Sequence, residues 1–345
     1  MYLALLIILL PLILFTLVKI LKIKVEGVES TPIYFSIRTK HIVSILEKIA
    51  VRSSNVINDF GRIAVYTTIF MIIFYFYFFF FNFLKFLFKF GETSKIIILY
   101  PGLTINIEES IYFFISVGFS LIIHEAAHAL QALSHDIEVR WFGVGIFLGL
   151  IYGFVEIDDK ALMKAGKEVR RKIYSSGPFT NLIIALTTFL LISAVYQLGI
   201  SGILVVDTKR EECAPLKGKI ITRINDIRIT NVEDFLNFME SRKVGEVVKI
   251  ETVSGETYFI RLGERFGKSF LGVACVNYNT LYYNPFFKLL IWLGIININL
   301  AILNAAPFFL TDGGKFVREF KIKGEIINYL GVAILLLNMV ASGLG

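Results

Sequence analysis

The sequence predicts a polytopic α-helical membrane protein of about six transmembrane helices with one inserted soluble domain of mixed α and β structure. Hydrophobic residues make up 56% of the 345 residues and charged residues only 18%, whereas a soluble domain is nearer a quarter charged. The 33 phenylalanines suit helices that face lipid. The net charge of +7 fits Lys and Arg in cytoplasmic loops, and nothing else in the sequence indicates a nucleic-acid partner.

Six apolar runs of about 20 residues are long enough to cross a bilayer. In chain order they are Tyr2–Ile20, Ile63–Phe88, Ile111–Leu133, Ile173–Leu198, Pro285–Leu303 and Ile326–Leu344. The first run has neither a basic segment before it nor a small-residue cleavage site after it, so we expect a retained helix. Lys and Arg concentrate in the loops after the first, third and fifth runs, which are therefore predicted to be cytoplasmic. Both termini and the long segment before the fifth run are then extracytoplasmic.

The N-terminal region, residues 1–110, contains the first two runs and a polar surface segment between them, residues 22–62. Within that segment His41–Val51 has the periodicity of an amphipathic helix, and we expect it to lie on the membrane surface. No residue there suggests chemistry, and His41 is interpreted as an ordinary surface histidine.

The third run carries the motif His124-Glu125-Ala126-Ala127-His128, whose residues are candidates for metal binding and catalysis. Histidines four residues apart lie on one face of a helix, where both can bind one metal ion. The glutamate between them can reach a metal-bound water and act as a general base. The same spacing occurs by chance in helices, but ionisable groups are costly in a membrane helix, and two of only four histidines fall here.

Residues 143–157 are apolar but interrupted by glycines, which is not typical of a regular helix. Irregular backbone at membrane depth is tolerated only where it is buried in protein or lines a cavity. We therefore expect a re-entrant hairpin beside the metal, within a catalytic membrane core of residues 111–200. A surface loop folded back onto the membrane is the alternative.

Residues 201–280 are predicted to form an extracytoplasmic α+β domain. Alternating patterns predict strands near residues 203–206, 219–224, 246–253 and 257–262. Ser254-Gly255 indicates a hairpin turn, and Asn231 is a helix cap. The order of elements resembles a PDZ domain. Cys213 and Cys275 lie near its first and last strand-like runs, and both a disulfide and two isolated thiols are compatible with the sequence.

A catalytic zinc site needs a third protein ligand beside two imidazoles. Three candidates follow the motif along the chain: His135, Glu138 and Glu156. His135 lies seven residues past His128, whereas the extended soluble zinc-protease pattern has its third histidine six residues on. A fourth candidate, Asp312, lies beyond the helix-breaking Pro307 in the C-terminal membrane region, residues 281–345, at the expected depth of the histidines. Taken alone, Asp312 is more simply explained as a helix cap.

Three motifs, in this order and on these helices, together resemble the site-2 protease family of intramembrane zinc metalloproteases. The first is His-Glu-x-x-His in a membrane helix, and the second is Gly177-Pro178-Phe-Thr-Asn181 at the start of the fourth run. The third is Asn304-Ala-Ala-Pro307 followed by Asp312-Gly313. The resemblance covers about residues 111–314, and a PDZ-like insertion is also found in that family.

The resemblance implies that His124, His128 and Asp312 bind Zn²⁺ and that Glu125 is the general base. It implies that Asn304 and Asn181 lie near the scissile peptide or between the catalytic helices, and that the glycine-rich hairpin contacts substrate as an edge strand. The implied activity is hydrolysis of peptide bonds within or near transmembrane helices of substrate proteins in the lipid bilayer, as in regulated intramembrane proteolysis. The active site would lie near the cytoplasmic side.

Two residues depart from the family pattern: Ala127 replaces the usual Gly, and Thr311 replaces the usual Leu. Neither is a candidate ligand. The alternative function is a non-proteolytic membrane scaffold or chaperone that keeps the fold and does not need Glu125. A metal transporter would need acidic or histidine side chains along a path through the membrane, and the first, second and sixth runs contain none.

Overall fold

The computed structural model describes residues 2–22, 26–320 and 322–344 of the chain. Lys24 and Lys321, two of the loop residues that support the predicted orientation, lie outside the described residues. The chain divides into two compact units. We call Met1–Phe189 with Ile291–Gly345 the membrane unit, and Leu190–Leu290 the inserted unit. The predicted soluble segment falls within the inserted unit.

Helices account for most of the membrane unit. In chain order the helices of the whole protein are α1 (Tyr2–Ile20), α2 (His41–Arg52), α3 (Ser54–Phe88), α4 (Ile107–Leu133), α5 (Asp159–Lys164), α6 (Lys167–Tyr196), α7 (Val232–Glu240), α8 (Pro285–Ala305), α9 (Asp312–Arg318) and α10 (Ile322–Leu344). Among the described residues five helices, α3, α4, α6, α8 and α10, are long and apolar enough to cross a membrane. Helix α1 has a shorter described apolar stretch, Ala4–Ile20, so its crossing stays a prediction.

Helices α3 and α6 begin several residues before the predicted runs, because their first turns are polar and hydropathy detects only the apolar part of a helix. Helix α2 forms where an amphipathic helix is predicted, and part of its apolar face packs against protein while Ile45 and Ile49 stay exposed. Val43 and Leu46 of this face pack in a core that contains Ala129 and Ala132 of α4. His41 is exposed, as expected.

Strands occur in both units. They are β1 (Val28–Thr31), β2 (Tyr34–Thr39), β3 (Val139–Phe147), β4 (Leu150–Ile157), β5 (Ser201–Thr208), β6 (Ile220–Ile224), β7 (Ile227–Arg228), β8 (Val247–Thr252), β9 (Thr257–Arg261), β10 (Gly263–Arg265), β11 (Lys268–Phe270) and β12 (Val273–Asn279). The first four belong to the membrane unit and the other eight to the inserted unit.

The sheet of the membrane unit is antiparallel, with the strand order β1-β2-β3-β4. Its β3–β4 hairpin is the predicted glycine-rich hairpin, and it turns at Leu148 and Gly149, which both have positive φ. Strand β4 is an edge strand that packs on α4. A Cβ atom on Gly153 would come 2.8 Å from Cγ of Glu125, so this close approach requires a glycine.

The inserted unit is an α+β fold with strands in the order β12-β5-β6-β8-β9 and with β7 paired to β6. The predicted strands form, and β8 and β9 are joined at Gly255, whose φ is +83°. Asn231 caps α7 by accepting a hydrogen bond from the backbone N–H of Asp234. The core consists of apolar side chains, among them Ile203, Val248 and Ile250.

The first and last strands of the inserted unit, β5 and β12, pair as the disulfide hypothesis supposed, yet both cysteines are free thiols. Cys213 lies outside β5, in the short 3₁₀ helix Glu211–Leu216, where it is buried. Its Sγ donates a hydrogen bond to the carbonyl oxygen of Leu271 at 2.9 Å. The two cysteines are therefore free thiols and do not cross-link the domain.

Candidate metal centre and active site

Helix α4 places His124 and His128 on one face because they are one turn apart. Both side chains are buried, and their Nε2 atoms lie 3.2 Å from each other. Two buried imidazoles that face each other this closely repel if both are charged. The pair is therefore better suited to binding a cation than to carrying two protons.

Asp312 joins the two histidines from a position almost two hundred residues later in the chain. Its Oδ2 lies 3.1 Å from Nε2 of His124 and 3.0 Å from Nε2 of His128. Asp312 is the first residue of the short helix α9, which follows the break in the chain at Pro307. The turn after α8 thus brings a carboxylate to the histidine face of α4.

Thr311 and two glycines hold that turn. The Oγ1 of Thr311 caps α9 by accepting from the N–H of Gly314, and it donates to the carbonyl of Ala306 at 2.5 Å. A Cβ atom on Gly313 would come 1.9 Å from the oxygen of Ala305, and one on Gly314 would lie 1.4 Å from the oxygen of Phe308. The tight approach of α9 to the end of α8 therefore excludes any side chain at either glycine.

The three side chains form a group that can hold a metal ion. Their ligand atoms lie within 4.8 Å of one another, and no other such group of His, Cys, Asp or Glu is found among the described residues. Two imidazoles and one carboxylate, with a fourth position left open, are a donor set typical of catalytic zinc.

Gly177 of α6 gives a second indication that a metal fits. A Cβ atom at this position would lie 2.3 Å from Nε2 of His128 and 2.6 Å from Nε2 of His124. Zinc binds imidazole nitrogen at about 2.0–2.1 Å, so the space that this glycine keeps clear is close to where an ion must sit. The glycine of the second motif thus has a physical role that the sequence did not reveal.

Each imidazole is oriented by a hydrogen bond at its other nitrogen. Nδ1 of His128 lies 2.6 Å from the carbonyl oxygen of Ile173, and Nδ1 of His124 lies 2.5 Å from Oδ1 of Asn181. Both oxygens can only accept, so each Nδ1 donates and each Nε2 is left as a lone pair that faces Asp312.

The carboxyl group of Asp312 is buried and has a cationic neighbour. Lys315, one turn along α9, places Nζ 3.7 Å from Oδ1, the carboxylate oxygen that does not face the histidines. The donor set therefore contains one formal negative charge in a buried position.

Glu125 faces a cavity of about 500 Å³ that reaches His128 and Asp312. Strand β4 lines this cavity along residues 153–157, and helix α9 lines it with Lys315 and Arg318. A carboxylate, two of the candidate ligands and an edge strand are thus open to the same space. The arrangement can hold a peptide, a metal and a proton acceptor together.

The other candidate ligands lie apart from this centre. His135 is hydrogen-bonded to Gln131 at 3.2 Å, and Glu138 is exposed. Glu156 lines the cavity but belongs to no metal-binding group, and it lies 4.0 Å from Arg38. Asn304 is half-buried in the last turn of α8 and is not among the residues that line the cavity. Its predicted catalytic role stays a prediction.

Sequence reasoning missed Asn297, a fully buried residue of α8 that is hydrogen-bonded to Asn181. The available signal was an asparagine in the middle of an apolar run, since a polar group within a membrane helix needs a partner. It also missed β1 and β2, whose short mixed sequence has no clear alternation.

Comparisons with known proteins match most of this region. The family model described as peptidase family M50 matches residues 112–341, which contain all three motifs. An uncharacterized protein of Methanocaldococcus jannaschii is 33% identical over 204 residues, which are 58% of this chain and 54% of that protein. The chain thus matches about half the length of that curated relative.

Proposed function

The chain belongs to peptidase family M50, the membrane-embedded, zinc-dependent metalloproteases of the site-2 protease type, and from this premise we propose that it is an intramembrane zinc metalloendopeptidase. We propose that it hydrolyses peptide bonds within or near transmembrane helices of membrane-protein substrates, as in regulated intramembrane proteolysis. The observation that carries the proposal is the meeting of Asp312 with His124 and His128 at a cavity that Glu125 also faces.

His124, His128 and Asp312 are the proposed zinc ligands, since their donor atoms converge and Gly177 leaves room for an ion. Bound zinc would supply a Lewis acid for the scissile carbonyl and would make water more acidic. Glu125 is the proposed general base, which takes one proton from the attacking water as its oxygen bonds to the amide carbon. As the C–N bond breaks, Glu125 returns that proton to the leaving amine.

Strand β4 is the proposed binding site for substrate backbone. It is an edge strand, so it has unpaired N–H and C=O groups, and residues 153–157 line the cavity of Glu125. A transmembrane substrate must unwind locally before cleavage, because helical amides are already hydrogen-bonded to one another. Addition to β4 as a further strand would satisfy the groups that unwinding frees.

The topology is inferred from loop charge. The loops after α1, α4 and α8 are rich in Lys and Arg, so we place them in the cytoplasm, with the active site near that side. We also propose that α1 is a sixth span, as its apolar run predicts, and that the inserted unit is an extracytoplasmic, PDZ-like domain that controls substrate access. The inserted unit contains no histidine, which suits a role without catalysis.

The experiment that tests the function combines zinc content with cleavage of a model single-span substrate by the full chain in detergent or liposomes. Glu125→Gln should keep the fold and the zinc but lose at least about 100-fold in cleavage rate, because the proton acceptor is gone. Glu138→Gln, an exposed glutamate off the cavity, is the matched control and should cleave normally.

A zinc-loaded Glu125→Gln variant that cleaves at the wild-type rate would overturn the role of Glu125. Wild-type protein that binds zinc and the substrate yet cleaves nothing would favour the scaffold or chaperone alternative.

A further inference from the structure

A chain of buried hydrogen bonds runs from the middle of α8 to the metal centre. Oδ1 of Asn297 accepts from Nδ2 of Asn181 at 2.8 Å, and Oδ1 of Asn181 accepts from Nδ1 of His124 at 2.5 Å. On its other side, Nδ2 of Asn297 donates to Oγ of Ser120 at 2.7 Å and to the carbonyl of Leu293 at 2.8 Å. Asn297, Asn181 and Ser120 are all fully buried.

The partners of Asn297 at one end of this hydrogen-bond series determine which group donates and which accepts in each of its bonds. An asparagine side chain has a donating and an accepting end, and only its partners decide which end points where. The carbonyl of Leu293 can only accept. Ser120 uses its single proton on the carbonyl of Ser116 at 2.6 Å, so its oxygen is left to accept as well. Asn297 must therefore turn its NH₂ group toward Ser120 and its oxygen toward Asn181.

That orientation is passed on to the ligand. Because Asn297 offers only an oxygen, Asn181 must present its NH₂ group to Asn297 and its own oxygen to His124. Nδ1 of His124 then carries the ring proton, and Nε2 keeps the lone pair that faces Asp312. A reversed Asn181 amide would stabilise the other tautomer, whose Nε2–H cannot bind a metal.

We propose that Asn297 is a positioning residue of the metal centre, which sets the amide orientation of Asn181 and through it the tautomer of His124. The inference rests on the proposed zinc site, and it concerns metal affinity rather than the cleavage step. It also accounts for three polar side chains within apolar helices, a placement that is costly unless each group is satisfied.

Asn297→Leu tests the proposal, because leucine has a similar size but offers no acceptor to Asn181. The full chain is purified in detergent, its zinc dissociation constant is measured by competition with a chelator, and its Co²⁺ absorption spectrum is recorded. Loss of the direct partner of a metal-ligating histidine weakens binding about 10–100-fold, so the expected result for Asn297, which acts through that partner, is binding about 10-fold weaker with an altered Co²⁺ spectrum.

Asn299→Leu is the matched control. Asn299 lies two residues further along α8, is exposed, and donates only to the carbonyl of Ile295 within the same helix. The Asn299→Leu variant should bind zinc with the affinity of the wild type. Equal zinc affinity and equal Co²⁺ spectra for folded Asn297→Leu and wild type would overturn the proposal.

A double-mutant cycle separates positioning from a general loss of structure. In an Asn181→Ala background, Asn297→Leu should weaken zinc binding no further, because the residue that transmits its effect is absent. An undiminished loss in that background would show that Asn297 acts on the fold and would contradict the proposal. Ser120→Ala, which removes one acceptor of Asn297, is a milder second variant and should weaken binding in the same direction.

These results are distinguishable from failure of the proposed function. A wild-type chain that binds zinc but cleaves no substrate would remove the protease assignment and leave the role of Asn297 in place. Normal zinc affinity in both Asn297→Leu and Ser120→Ala would remove the role of Asn297 and leave the protease assignment. A wild-type chain without metal affinity would overturn both.

Discussion

The membrane unit and the inserted unit differ in how their buried polar side chains are arranged. The core of the inserted unit is apolar, and its ion pairs lie at the surface, as between Lys219 and Glu256 at 2.7 Å. The membrane unit buries a continuous polar series instead, which includes Ser120, Asn297 and Asn181 and ends at the His-His-Asp group.

The contrast shows where the molecule carries an energetic cost. A buried polar group without a partner costs roughly 1–3 kcal/mol, so a fold built only for stability avoids such groups. In the membrane unit Ser120, Asn297 and Asn181 satisfy one another and lead to the His-His-Asp group, whereas the core of the inserted unit is apolar. Substitutions along this polar series should therefore change metal binding, and substitutions in the apolar core of the inserted unit should change its local stability without changing metal binding.

The largest effect is expected from Asp312→Ala. Loss of this carboxylate leaves two imidazoles, and zinc affinity should fall at least about 1,000-fold, or roughly 4 kcal/mol, beyond the loss typical when only a ligand's partner is removed. Asp234→Ala in the inserted unit is the control, since its carboxylate contacts Thr230 and the backbone only. Competition with a chelator measures the zinc affinity of both variants. Unchanged zinc affinity in Asp312→Ala would contradict the assignment of Asp312 as a ligand and would make Glu156 the next candidate ligand to test.

Gly177→Ala should have the next largest effect. Its new methyl group would lie 2.3 Å and 2.6 Å from the two Nε2 atoms, so we expect at least about 100-fold weaker zinc binding, or about 3 kcal/mol, with the helix intact. Gly118→Ala is the matched control, because a Cβ atom at this α4 glycine meets nothing within 4 Å. Zinc content and helical circular dichroism measure the two effects. Full zinc occupancy in Gly177→Ala would mean that the ion binds elsewhere.

Val248→Ala tests the contribution of the apolar core to the stability of the inserted unit. Val248 is fully buried in the inserted unit, and its truncation should lower the local free energy of unfolding by about 2 kcal/mol, measured by hydrogen exchange. The neighbouring Val247 is half exposed on the opposite face of β8, so Val247→Ala should change exchange little. Both variants should bind zinc normally. A loss of zinc in Val248→Ala would show that the inserted unit supports the metal centre.

The same contrast explains what the sequence could predict. The strands of the inserted unit follow from alternation, and the long helices follow from apolar runs, because both signals are local. The spacing of His124 and His128 is local too. Asp312 was one of four open candidates for the third ligand, and only the motif resemblance favoured it over a helix cap, since nothing near it in sequence points to α4. The pairing of β2 with β3 and the bond between Asn297 and Asn181 join segments about a hundred residues apart, where single-sequence patterns carry no signal.

The smallest effects come from two helix caps, one in each unit. Thr311 caps α9 and Asn231 caps α7, and loss of either side-chain cap costs about 1 kcal/mol. Thr311→Val removes the cap next to Asp312, so that cost should appear as roughly fivefold weaker zinc binding. Asn231→Ala should lower the protection of α7 amides from exchange by a similar amount and leave zinc binding unchanged. If Asn231→Ala weakened zinc binding as much as Thr311→Val, the inserted unit would support the metal centre, and the contrast between the two units would fail.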